Sequence, residues 1–194
     1  MLAAIIALGL FAAPKPLPCP SHTLVNCADT RALTAEPSFQ PALRTFLGAS
    51  HERLLHGDRP LYDQVLELMA KPDGGAAPHV GEAMRLYAGC RRMACPEKAA
   101  VIVDEHGILA IGLIDYTHGD PGLEVIVRRS SLAAGEPGDA LKVWAQDCVA
   151  QQADHDHANT GLRGLRVRAL DEEPPGGPPK PQRSLRGIFS LPRL

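Results

Sequence analysis

The chain has 194 residues, 45% of them apolar and 22% charged, which gives room for one core of ordinary size with little sign of a second. Its 20 basic residues face 22 acidic ones, so no overall field draws it to nucleic acid or to an anionic membrane, and any charge-driven recognition has to be local. Five cysteines, Cys19, Cys27, Cys90, Cys95 and Cys148, suit an exported protein with disulfides better than a cytosolic one, and their odd number leaves at least one unpaired.

Residues 2–13 are an unbroken apolar run ended by Pro14, too short to cross a bilayer as a helix and of the length of the hydrophobic part of a secretory signal. Residues 1–13 are therefore read as an export signal, with a buried N-terminal element as the competing reading, and no membrane association is expected after processing. Pro16, Leu17 and Pro18 before Cys19 do not make a lipidation box. Residues 14–37, interrupted by proline and without period, read as a linker or surface strap.

An amphipathic helix is expected over residues 38–56, with Phe39, Leu43, Phe46 and Leu47 on one face, Ser38 as its cap and Gly57 as its stop. A second is expected over residues 60–70, capped by Asp58 and stopped by Pro72. From His79 the period turns to alternation, with Met84, Leu86 and Ala88 against Arg85 and Tyr87, a strand that runs into Cys90. Residues 99–103, 108–114 and 123–127 then form three β-rich runs joined by turns such as Asp-Glu-His-Gly, an antiparallel meander. The middle run carries no charge, so both of its faces should be covered by helices. A last helix is expected over residues 139–153, with Leu141, Trp144, Cys148 and Val149 inward. Residues 154–194, rich in Pro and Gly, read as a disordered tail.

The stretch Cys90-Arg91-Arg92-Met93-Ala94-Cys95 is the most distinctive in the chain. A redox site would place two residues between its cysteines, and a structural zinc would need two further ligands at comparable spacing. A disulfide-closed loop remains, contributing about 2 kcal/mol on the chain-entropy argument. Such a loop either presents a shape to a partner or merely pins one strand to the next. Among Cys19, Cys27 and Cys148 the sequence leaves the pairing open, with Cys27 to Cys148 suggested as a tie between the N-terminal segment and the last helix. Four potential metal ligands crowd into Ala-Asp-His-Asp-His-Ala at residues 153–158, but in a tail they would bind only adventitiously. No Ser-His-Asp order, phosphate loop or spaced carboxylate pair is present, and no cofactor is implied.

Residues 46–144 resemble the inhibitor of vertebrate lysozyme (Ivy) family of Gram-negative periplasms. The likeness is carried by Phe-Leu-Gly near the end of a helix, a strand entering the Cys-x4-Cys loop, the stretch PEKAAVIVDEHGILAIGLID, a third strand, and an alanine- and tryptophan-bearing helix. The resemblance implies an α+β domain over residues 38–153, an antiparallel sheet of about five strands with helices packed against it. It also implies a periplasmic, non-enzymatic protein whose cysteine loop enters the cleft of a lysozyme or related cell-wall hydrolase. Family members can dimerise, though no stretch here marks a dimer face. The family's loop histidine is replaced by Met93, and Ala94 follows where an aspartate is usual. Arg91 and Arg92 offer a substitute, because a guanidinium can bind a carboxylate through two parallel hydrogen bonds. The competing function is an envelope structural or stress protein that reuses the scaffold, with the loop serving stability alone.

Overall fold

The computed structural model describes residues 19–49, 55, 58–115, 122–128, 136–156, 164–170 and 188–189. The export signal expected over residues 1–13 lies outside them. Among the described residues no helix is long and apolar enough to cross a membrane.

Four strands form the expected meander: β3 (Met84–Arg91), β4 (Ala94–Asp104), β5 (Gly107–Asp115) and β6 (Gly122–Arg128), each antiparallel to the next. Two short strands, β1 (Lys71–Pro72) and β2 (His79–Val80), pair with the two ends of the outer edge of β3. The fold is thus α+β and largely antiparallel, as the sequence leads one to expect. The turn between β4 and β5 is built by Asp104, whose Oδ1 accepts from the amides of His106 at 2.7 Å and Gly107 at 3.0 Å. Gly107, at φ 130°, takes a backbone conformation that side chains disfavour.

Alternation along these strands, broken once where the β4–β5 register shifts between Ile102 and Val103, sorts the core into two. Tyr87, Ala99, Val101, Val103, Ile111, Leu113 and Ile126 face one way and pack under the N-terminal helices. Leu86, Ala88, Ala100, Ile102, Ala110, Ile114, Leu123 and Val125 face the other way, under α4 (Glu136–Asp156). The helix lays Leu141, Ala145 and Val149 inward at i, i+4 and i+8, with Trp144 and Cys148 beside them. Gly112 lets it come close: a Cβ there would stand 2.8 Å from Leu141 Cδ2.

The opposite face is covered by α1 (Thr30–Ala35), α2 (Phe39–Leu47) and α3 (Leu61–Leu68). α2 ends at Gly48, φ 65°, well short of the expected residue 56, because glycine in that conformation closes the last turn. Ser38 makes no side-chain cap, and α3 starts after Pro60 rather than from Asp58.

Residues 19–37 are not a free linker. They fold as two 3-10 turns (Pro20–His22 and Leu24–Asn26) followed by α1, whose cap Asp29 accepts from the amide of Ala32 at 2.7 Å. Cys19, Leu24, Cys27 and Leu33 are buried in the core. Cys27 is bonded to Cys19, and Cys148 is the free thiol, so the suggested Cys27–Cys148 pairing is corrected. The reason is geometric: Cys27 packs with the helices on one face of the sheet and Cys148 with α4 on the other.

The segment expected to be a disordered tail also supplies structure. β7 (Gly164–Leu170) joins the sheet parallel to β6, after the crossover through α4, and β8 (Ile188–Phe189) pairs antiparallel with β7.

The strap of residues 19–27 is fastened to β3 by two side chains, Arg85, whose Nη1 donates to the Cys27 carbonyl at 3.4 Å, and Tyr87. The Tyr87 hydroxyl, fully buried, lies 3.0, 3.1 and 2.8 Å from the carbonyl oxygens of Leu24, Val25 and Cys27 and donates into that cluster. Burial pushes its pKa from 10.0 up to about 12, the nearby Arg85 acting in the opposite direction without cancelling it. Removing the hydroxyl in Tyr87→Phe should cost about 1 to 2 kcal/mol, since it takes a donor from the carbonyls of Leu24, Val25 and Cys27, leaving Leu24 to the Cys27 amide and Cys27 to Arg85. The raised pKa means the neutral phenol is the favoured native form. Its contribution is complete below pH 10 and is lost as the pH rises towards 12. Denaturant melts of wild type and Tyr87→Phe should therefore differ by a constant amount at neutral pH and converge over that alkaline window.

Candidate functional site

The cysteine loop is a β-hairpin that ends the β3–β4 ladder. Arg91 pairs with Ala94, so Arg92 and Met93 are the two turn residues. Neither has a positive φ, which excludes the primed turns whose twist matches that of paired strands. The ladder breaks directly beneath. Cys90 pairs with Lys98 and Arg91 with Ala94, so Cys95, Pro96 and Glu97 bulge out of β4. Pro96 accounts for the place of the break, because a residue without an amide hydrogen fits a bulge and not a ladder.

Three devices hold this hairpin. Cys90 and Cys95 are bonded across the bulge with Cα atoms 4.8 Å apart, inside the range such bridges require, and Cys90 is buried. Arg91 donates from Nε to Glu67 Oε1 of α3 at 2.9 Å and from Nη1 to Glu97 Oε2 of the bulge at 2.9 Å. Glu67 in turn accepts from Arg59 Nη1 at 2.6 Å through its other oxygen. The approach of α3 depends on Gly89, where a Cβ would stand 3.0 Å from backbone atoms of Met69 and Lys71. At the base, Lys98 reaches Asp73 Oδ1 at 3.4 Å.

The two arginines named in the sequence reading are thereby separated. Arg91 is partly covered, and its pKa is raised chiefly by the hydrogen bond to Glu97, with burial opposing and Glu67 adding. Both of its charge-assisted bonds are made inside the molecule. Arg92 is exposed, and Met93 is 95% exposed, one of two large apolar side chains so placed among the described residues. Ala94 and Cys95 are half-buried on the flank. The part of the loop open to a partner is thus Arg92 and Met93. Glu67, Glu97 and Arg59, which position it, were not picked out by sequence reasoning; the Glu67–Arg91 pair spans 24 residues and leaves no local pattern. Among the described residues no group of three or more His, Cys, Asp or Glu is placed to hold a metal.

Cys148 is half-buried on α4, and burial pushes its thiol up to about 11, which leaves little thiolate at neutral pH. Trp144, on the same helix, buries its indole N–H without a partner among the described residues.

Comparison with models of protein families, with curated proteins and with solved structures finds no match in any of the three.

Two outcomes follow from the geometry. Peptide mapping of non-reduced protein should recover Cys19 linked to Cys27 and Cys90 linked to Cys95, with Cys148 alkylated readily only after denaturation; a peptide joining Cys27 to Cys148 would contradict the fold. In Glu67→Gln, the amides of residues 91–94 should exchange hydrogen faster while those of β5 keep their protection, since the lost charge anchors the hairpin and not the sheet. Unchanged exchange at the tip would mean that the disulfide alone holds it.

Proposed function

We propose that this chain is a non-enzymatic binding protein that engages its partner through the tip of the β3–β4 hairpin, as the likeness to the Ivy family implies. The observation that carries the reading is Met93, 95% exposed at the apex of a hairpin that a disulfide and two ion pairs of Arg91 hold in one shape. A single exposed apolar residue is ordinary on a surface. An exposed one on a hairpin held in one shape is preorganised, and preorganisation lowers the entropy lost on binding.

Arg92 beside it sets the partner's charge. A guanidinium desolvated against a basic or apolar surface goes uncompensated, whereas a carboxylate repays it. The cleft of a lysozyme or related cell-wall hydrolase offers two carboxyl groups within about 5 to 10 Å, together with apolar walls. Such a cleft is the proposed partner site, and the periplasm the proposed location, a compartment in keeping with two disulfides.

Arg91 favours the second reading, an envelope structural protein whose loop serves stability, because its bonds are spent within the fold. The two readings differ in what the tip does. Wild type, Arg92→Ala and Met93→Ala should be titrated against c-type, g-type and bacterial wall hydrolases, following activity and binding together. On the proposed reading wild type binds at least one member, and each substitution weakens binding by about tenfold or more with the melting temperature little changed. If wild type neither binds nor slows any member, the scaffold reading replaces this one. Binding that survives both substitutions would move the contact away from the hairpin.

A further inference from the structure

We propose that Met93 is a site of selective two-electron oxidation by hydroperoxides, and that its sulfoxide switches off the hairpin as a contact element. The second half rests on the reading of the hairpin given above; the first half stands independently. Three described methionines can be compared. Met69 is 1% exposed in the core under the N-terminal helices, Met84 is half-buried and packed against the α4-side core, and Met93 is 95% exposed. A peroxide must reach the sulfur itself, so exposure orders their rates. The other oxidisable sulfur that is not already in a disulfide, Cys148, is half-buried and held mainly as the unreactive thiol.

The reaction balances with one equivalent of hydrogen peroxide. A lone pair on Met93 Sδ attacks one peroxide oxygen, the O–O bond breaks as the S–O bond forms, and the departing hydroxide takes the remaining proton and leaves as water. Sulfur loses two electrons and the peroxide gains them. The product is polar where the thioether was apolar, and a sulfoxide buried in an apolar pocket without a hydrogen-bond donor carries a desolvation cost. The change falls on the apex, so the hairpin's disulfide and its Arg91 ion pairs are left as they were. The fold has no reason to respond, and the contact does.

The test uses the full chain and dilute hydrogen peroxide at neutral pH, with peptide mass mapping over time. One oxygen should appear on Met93 about tenfold or more faster than on Met69, Met84 or Cys148, as expected where exposure governs the rate. The oxidised protein should bind the hydrolase that wild type binds about tenfold or more weaker, with an unchanged melting temperature, and methionine sulfoxide reductase should restore binding. Met93→Leu removes the sulfur, so whatever affinity it retains should be unaffected by peroxide. Oxidation of Met69, Met84 or Cys148 as early as Met93 overturns the site. Met93 oxidised with binding intact, or Met93→Leu losing affinity to peroxide as wild type does, overturns the switch. Should unoxidised protein bind no hydrolase, the hairpin reading and the switch fall together, while the order of oxidation still decides the modification site.

Discussion

The architecture depends on strands that have no side fit for water. Ala99 to Val103 and Ile108 to Ile114 carry apolar residues at both parities, so the sheet they build must be covered on both faces. Helices α1 to α3 and the strap cover one face and α4 covers the other. Each strand thus divides its residues between two cores, and a slip of one position would exchange the two sets wholesale. The cores meet the helices with little slack: Gly112 admits Leu141 on one face, and Gly89 admits the chain leaving α3 at the edge. These close approaches give the sheet a fixed frame.

That frame fixes where the β3–β4 hairpin begins. β4 is paired along its length by β3 and β5, β3 is flanked at its outer edge by β1 and β2, and the hairpin inherits their position at its base. Above the base the ladder fails, because Pro96 cannot pair, and other forces take over. The disulfide closes the bulge covalently, and Arg91 spans it electrostatically from α3 to Glu97. Adjacent arginines in the sequence therefore differ in kind. One braces the hairpin from inside, and the other stands at the tip beside Met93.

The N-terminal strap is held by a different economy of forces. Its turns are too short to be stable helices, and the disulfide between Cys19 and Cys27 and the Tyr87 hydroxyl together keep it on the sheet. A polar anchor in a buried place is specific, because Tyr87 and Arg85 together satisfy carbonyls that would be costly to leave without a donor. This explains why a proline-rich segment with no apolar period still contributes buried residues such as Leu24 and Leu33.

Features set by local pattern were legible in the sequence. The period-two runs in β3 to β6, the covered faces of β5, the inward face of α4, the Asp-Gly turn at residues 104–107 and the Cys90–Cys95 bridge all follow from residue type at short spacing. Helix ends were less so, since Gly48 stops α2 nine residues before Gly57, the stop the pattern suggests. Tertiary structure alone decided the rest. The parallel pairing of β7, the bridge from Cys19 to Cys27, the exclusion of Cys148 from it and the capture of Arg91 by Glu67 depend on which side of the sheet a residue reaches and what waits there. Short-range spacing encodes the period of a strand or the closure of a small ring, because both are properties of neighbouring backbone. The partner of a charge or a thiol is a property of the assembled layers, and it exists only once the sheet has separated one face from the other.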